Sequence, residues 1–150
     1  MKAGDLILFK YDTHFGNVIT RHTGSYWTHC ALMVDAFNVA EFAMDRKGIM
    51  NIDKMLQEED IEDFLILPEV ASKKQYRGLH TTFNNASYEN MNGLYSIVRK
   101  LDSGRNMENI STGNNRFTCS SLIAHTLEEI IPKQIHYSQH LPDDFDKYFR

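Results

Sequence analysis

The sequence predicts an α+β domain, with strands crowding the first half of the chain and helices the second. Short apolar runs bordered by turn residues recur up to Pro68. Apolar residues at helical spacing recur after Ala86. The 150 residues are 42 % hydrophobic and 24 % charged, which suits one globular domain over residues 1–150. A chain of this size buries about 70 % of its unfolded surface, enough for one core without metal or disulfide staples.

The elements follow in order. Gly4-Asp5 precedes the apolar run Leu6-Ile7-Leu8-Phe9 and then Lys10, a turn followed by a buried strand. Phe15, Val18 and Ile19 share one helical face, and the helix ends near Gly24. Thr28 to Asp35 and Val39 to Asp45 predict two strands joined as a hairpin. Arg46-Lys47-Gly48 is a turn, after which Ile49–Ile52 continues the sheet. Asp53 to Asp60 predicts a short amphipathic helix with Met55 and Leu56 inward. Ile61 to Leu67 is a strand stopped by Pro68, and the polar stretch from Ala71 to Asn85 fits no single pattern. Met91, Leu94, Tyr95, Val98 and Leu101 predict a helix over 86–101, and the Ser-, Gly- and Asn-rich 102–115 reads as a loop. Thr118 is placed to cap a helix whose Leu122/Thr126/Ile130 and Ile123/Leu127/Ile131 stripes run to Pro132. A last piece from Leu141-Pro142 puts Phe145, Tyr148 and Phe149 on one side.

Composition narrows the partners. A net charge of −4 and a pI near 5.9 argue against a nucleic-acid binder, which needs a basic face. The longest apolar runs are too short to span a bilayer, so stable membrane insertion is not expected. Two cysteines, Cys30 and Cys119, are too few for a disulfide framework. Both are expected as free thiols in a cytoplasmic setting. The pattern sets no oligomeric state.

Chemistry centres on Cys119. In the first turn of a helix capped by Thr118, its thiolate is favoured by free backbone N–H groups and the macrodipole. The same N–H groups can meet an oxyanion. A thiolate nucleophile needs a histidine. Of seven histidines, His125 is six residues on and faces elsewhere, and His14, His22, His80, His136 and His140 lie in polar or turn-like surroundings. His29 begins a strand, where a rigid scaffold can hold it at a cleft. Glu41, interrupting Val39-Ala40-Glu41-Phe42-Ala43, can orient the imidazole, with Asp35 and Asp45 as rivals. Cys30 neighbours His29 and points to the opposite face, so it reads as a packing residue. Tyr26, Trp27 and Tyr88 can line a cleft or pack in the core. No spacing suits a metal, and no cofactor is implied.

Taken together, Gly4-Asp5-Leu6-Ile7, then Ser25 to Leu32 around His29, then Glu41, then Phe117-Thr118-Cys119-Ser120-Ser121-Leu122 resemble the circularly permuted NlpC-type papain-like cysteine amidases, the YaeF/YiiX-like group with viral members. Leu141-Pro142-Asp143-Asp144-Phe145 and Ser87-Tyr88-Glu89 are similar to two further segments of that family, with Leu for Thr and Glu for Asp. The resemblance implies a papain-like fold, a small antiparallel sheet or barrel against a nucleophile-bearing helix. It implies acyl transfer by a Cys119-His29-Glu41 triad on a peptide or small-molecule amide, a cell-wall peptide among the options. The alternatives are a lipid acyltransferase or thioesterase with the same His-then-Cys order, and an inactive binding or assembly domain.

Overall fold

Gly4 and Asp5 fix where the sheet begins. The computed structural model describes residues 1–43, 46–85, 87–88, 116–133 and 140–150. In it Gly4 has φ 92°, and a Cβ there would lie 2.3 Å from the Ala71 carbonyl oxygen, so only glycine fits. The buried Asp5 carboxylate accepts the backbone N–H of Lys2 at 2.8 Å and of Glu69 at 2.9 Å. These bonds tie the start of β1 (Leu6–Tyr11) to the chain just beyond β5 (Ile61–Leu67).

β1 pairs antiparallel with β5 on one side and with β2 (His29–Met33) on the other. Beyond β2 come β3 (Asn38–Phe42) and β4 (Lys47–Asn51), giving the order β4-β3-β2-β1-β5. The Leu6–Phe9 run shows no polar alternation because both faces of the sheet are covered. Leu6, Leu8, Cys30, Leu32, Ala40 and Phe42 belong to one core cluster. Ile7, Phe9, Ala31, Met33 and Val39 belong to another, with Ile52 and Met55. The β2–β3 hairpin is closed by Asp35, whose carboxylate accepts the N–H groups of Phe37 at 2.7 Å and Asn38 at 2.8 Å. Asp35 is therefore a turn residue. Asp45, the other rival to Glu41, lies outside the described residues.

The helices agree with expectation in place more than in length. α1 (His14–Thr23) is capped by Thr13 and closed by Gly24 in the left-handed region. The helix expected over 53–60 is a single turn, α2 (Ile52–Met55), capped by Asn51. The stretch with no clear pattern forms α3 (Lys73–Asn85). Ser87–Tyr88 is a short strand, β6, parallel to β7 (Arg116–Phe117), so the helix predicted from Ala86 cannot begin there. The remainder of that helix and the 102–115 loop lie outside the described residues. α4 (Cys119–Thr126) stops short of the expected Ile131. Thr126 Oγ1 bonds back to the Leu122 carbonyl at 2.9 Å, and continuation would place Glu128 and Glu129 at the negative end of the helix dipole. α5 (Pro142–Phe149) starts with proline at its first position, where no N–H is needed. Among the described residues no helix is long and apolar enough to cross a membrane.

Candidate active site

The first turn of α4 is built by two hydroxyls. Thr118 Oγ1 accepts the Ser121 N–H at 3.2 Å, and Ser121 Oγ accepts the Thr118 N–H at 2.8 Å. This reciprocal cap leaves Cys119 as the first helical residue. Ser120 Oγ donates to the His140 carbonyl at 2.7 Å, which ties the same turn to the chain entering α5. α4 packs its Leu122, Ile123 and Ala124, with Leu127 just past its end, against the sheet face that carries Cys30. Cys119, only 6 % exposed, is thereby set against the start of β2.

Cys119 lies close enough to His29 there for each side chain to shift the protonation of the other. His29 Nε2 donates to Glu41 Oε2 at 3.1 Å, leaving Nδ1 as its other ring nitrogen. The ring packs edge-on to Tyr11 at 5.7 Å between centroids and against Phe9 at 6.0 Å. Glu41 is 0 % exposed, which is tolerable for a carboxylate only with partners. It has a second one in Arg46, whose Nη2 lies 3.4 Å from Oε1. Arg46 also pairs with Glu58, and Glu58 Oε2 accepts the Tyr11 hydroxyl at 3.1 Å. The chain of contacts thus runs Cys119, His29, Glu41, Arg46, Glu58, Tyr11, and back to the face of His29.

This circuit sets the protonation states. Burial works against a charged His29, but the Glu41 carboxylate and the Cys119 sulfur outweigh it and raise the imidazole well above its ordinary range. The hydrogen bond from Cys30 is the largest influence lowering the Cys119 thiol. Burial opposes it, and the His29 charge, the His29 hydrogen bond and the Cys30 backbone N–H add to it. The result is a thiol well below its ordinary range beside an imidazole well above. Burial, then the Cys119 sulfur, hold Cys30 high and protonated. Burial and the charges of Glu41 and Glu58 keep Tyr11 a neutral phenol.

Of the residues singled out in the sequence, Cys119, His29 and Glu41 are brought together. Cys30 is buried on the opposite face from His29, as expected, yet its thiol influences Cys119 as well. Trp27 is packed in the core with its Nε1 donating to Asp146 at 3.0 Å. Tyr26 is 45 % exposed, lies T-shaped on Trp27 and donates to Asp63 at 2.8 Å. Tyr88 is described only as part of β6. Sequence reasoning missed Arg46, Glu58 and Tyr11. Arg46 reads as a turn residue and Glu58 as one acid in the solvated run 57–60, so no local signal sets them apart. It also missed Asp143, which accepts the backbone N–H of Tyr26 at 3.0 Å and of Trp27 at 2.6 Å. That carboxylate anchors the segment leading into His29.

No protein-family model matches the chain, and no curated protein matches it either. Among solved structures it is similar to the metalloprotein YiiX from Escherichia coli O157:H7, with a TM-score of 0.51 at 15 % identity over 85 % of this chain. The match spans 65 % of the YiiX chain. Among the described residues of this protein, no group of three or more His, Cys, Asp or Glu is arranged to hold a metal ion. The chain has an α+β fold with a five-stranded antiparallel sheet, and what it shares with YiiX is that fold.

Proposed function

We propose that this protein is a papain-like cysteine hydrolase of amides, working through Cys119, His29 and Glu41. One observation carries the reading: the His29 Nε2 rests on a fully buried carboxylate beside a buried helix-start thiol that the imidazole draws toward its charged form. The Cys119 thiolate attacks the amide carbonyl carbon, and the oxyanion is met by N–H groups of the first turn of α4, that of Cys119 included. Protonated His29 gives its proton to the leaving amine, and the C–N bond breaks to leave a thioester on Cys119. Neutral His29 then takes a proton from water, the hydroxide attacks the thioester, and the acid departs with the thiolate restored. Glu41 fixes the ring and supports its positive charge. The substrate is a peptide or acylated small molecule. The setting is cytoplasmic, where free thiols persist.

The test is alkylation followed by turnover. In the folded protein near neutral pH, iodoacetamide should modify Cys119 well before Cys30, and Cys119→Ala should abolish both modification at that site and amide hydrolysis. Equal labelling of the two thiols would overturn the reading. An acyl-enzyme mass seen with lipid donors and never with peptides would replace it with acyltransfer.

A further inference from the structure

Arg46 stands between two carboxylates and divides itself unevenly. Both of its terminal nitrogens lie on Glu58, Nη1 on Oε1 and Nη2 on Oε2, the second at 3.2 Å. This is the two-pronged match that a guanidinium and a carboxylate favour. Toward Glu41 it offers one nitrogen, Nη2, at 3.4 Å from Oε1, which is long for such a bond. Yet Glu41 is fully buried, and the Glu58 side chain is 28 % exposed. A cation is drawn more strongly to the carboxylate in the drier setting. The Arg46 Nε is also buried with no hydrogen-bond partner among the described residues, and a side-on move onto Glu41 would engage it. Something must hold Arg46 back.

Glu58 is fixed for that task. Its backbone N–H donates to the Met55 carbonyl at 3.1 Å, and its own carbonyl accepts the Ile61 N–H at 3.2 Å. Its Oε2 accepts the Tyr11 hydroxyl at 3.1 Å, and the Tyr11 ring lies edge-on to His29. We infer that Glu58 is a positioning residue of the site: it tethers Arg46 by both prongs, withholds that guanidinium from Glu41, and so leaves the Glu41 carboxylate to His29. This role rests on the hydrolase proposed above, in which His29 carries the proton. With the tether gone, Arg46 takes Glu41 with two nitrogens, and His29 Nε2 loses much of the charge it faces at 3.1 Å. The charged and titratable groups around the imidazole are Glu41 from β3, Arg46 from the turn before β4, Glu58 from the α2–β5 connection, Tyr11 from β1 and Cys119 from α4, with Cys30 its neighbour on β2.

The test follows the His29 imidazole of the full-length chain by NMR against pH, which needs no substrate. Glu58→Gln should move the His29 midpoint down. Arg46→Gln should move it up, because the competitor for Glu41 is gone. The double variant separates a tether from simple charge. With Arg46 absent, Glu58 has nothing to hold, so Glu58→Gln/Arg46→Gln should titrate with Arg46→Gln and not return to the wild-type midpoint. A midpoint unmoved by Glu58→Gln, or a double variant back at the wild-type value, would overturn the inference. If Glu58→Gln fails to fold, Arg46→Gln decides alone, and a lowered or unmoved midpoint there would overturn it too. Where an amide is turned over, Glu58→Gln should lower kcat and leave KM unchanged; a raised KM at unchanged kcat would put Glu58 on the substrate instead. The expected His29 shifts in a protein that hydrolyses no amide would leave the tether standing and remove the hydrolase reading.

Discussion

Glu41→Gln keeps the shape of a fully buried side chain and removes its charge. At the observed 3.1 Å from His29 Nε2, a full charge pair at an effective dielectric of about 20 is worth about 5 kcal/mol. The amide still accepts the imidazole N–H, which returns part of that energy. Burial, already opposing a charged ring, then acts with less against it. A net loss of about 2–3 kcal/mol lowers the His29 pKa. Arg46 keeps Glu58, so the substitution leaves no orphaned guanidinium. The assay is ¹H–¹⁵N NMR of the imidazoles against pH, with His29 assigned by its disappearance in His29→Gln. Wild-type His29 should stay charged well above the ordinary histidine range, and the variant should titrate clearly lower. Cys119 alkylation at neutral pH should slow, because the His29 charge that helps lower its thiol is weakened.

The stability consequence has a fixed sign. A histidine whose folded pKa is raised contributes stability in full below its unfolded value of about 6.5, and loses it as pH rises through the folded value. The cost of Glu41→Gln should therefore be largest in mild acid and shrink in alkali. Near neutrality the melting temperature should drop by about 5–10 °C at roughly 2–4 °C per kcal/mol. An unchanged His29 titration in Glu41→Gln would refute the circuit, because among the described residues nothing else offers its Nε2 a negative charge at that distance.

Three further substitutions test the frame around the site. Gly4→Ala forces a Cβ to within 2.3 Å of the Ala71 carbonyl at φ 92°, which should cost about 2–3 kcal/mol, read as a lower urea midpoint. Asp143→Ala frees the Tyr26 and Trp27 N–H groups; about 2–3 kcal/mol should be lost by thermal melt, with slower Cys119 alkylation as the His29 segment loosens. Ser121→Ala removes one half of the α4 cap and should cost about 1 kcal/mol in chemical denaturation.

What the sequence made legible was what short-range physics decides. Leu6–Phe9 announced a strand covered on both faces, Gly24 ended α1, and Thr118 capped α4 with Cys119 at its start. α3 was available too. Ser72 and Gln75 form a reciprocal cap, with the Ser72 N–H on Gln75 Oε1 at 2.8 Å and the Gln75 N–H on Ser72 Oγ at 3.4 Å. That Ser-x-x-Gln spacing is a helix-start signal, lost under the polar residues that follow it. The Arg46–Glu58 support was not available, because twelve residues of chain and a β4 strand separate the two.

Cys30 marks the boundary between the two kinds of information. Period-2 alternation correctly sent His29 and Cys30 to opposite faces of β2, and that rule made Cys30 look remote from the chemistry. Yet both influence the same thiol. The β2–β3 ladder stops before Cys30, so the beginning of β2 is open on that side and α4 can set Cys119 against the strand's end. A sulfur placed there is influenced by His29 and by Cys30, whose backbone N–H takes no part in the β2–β3 ladder. Alternation states which way a side chain leaves its strand. Where the neighbouring strand stops pairing is a tertiary outcome, and in this protein that stopping point turns a packing residue into a partner of the nucleophile.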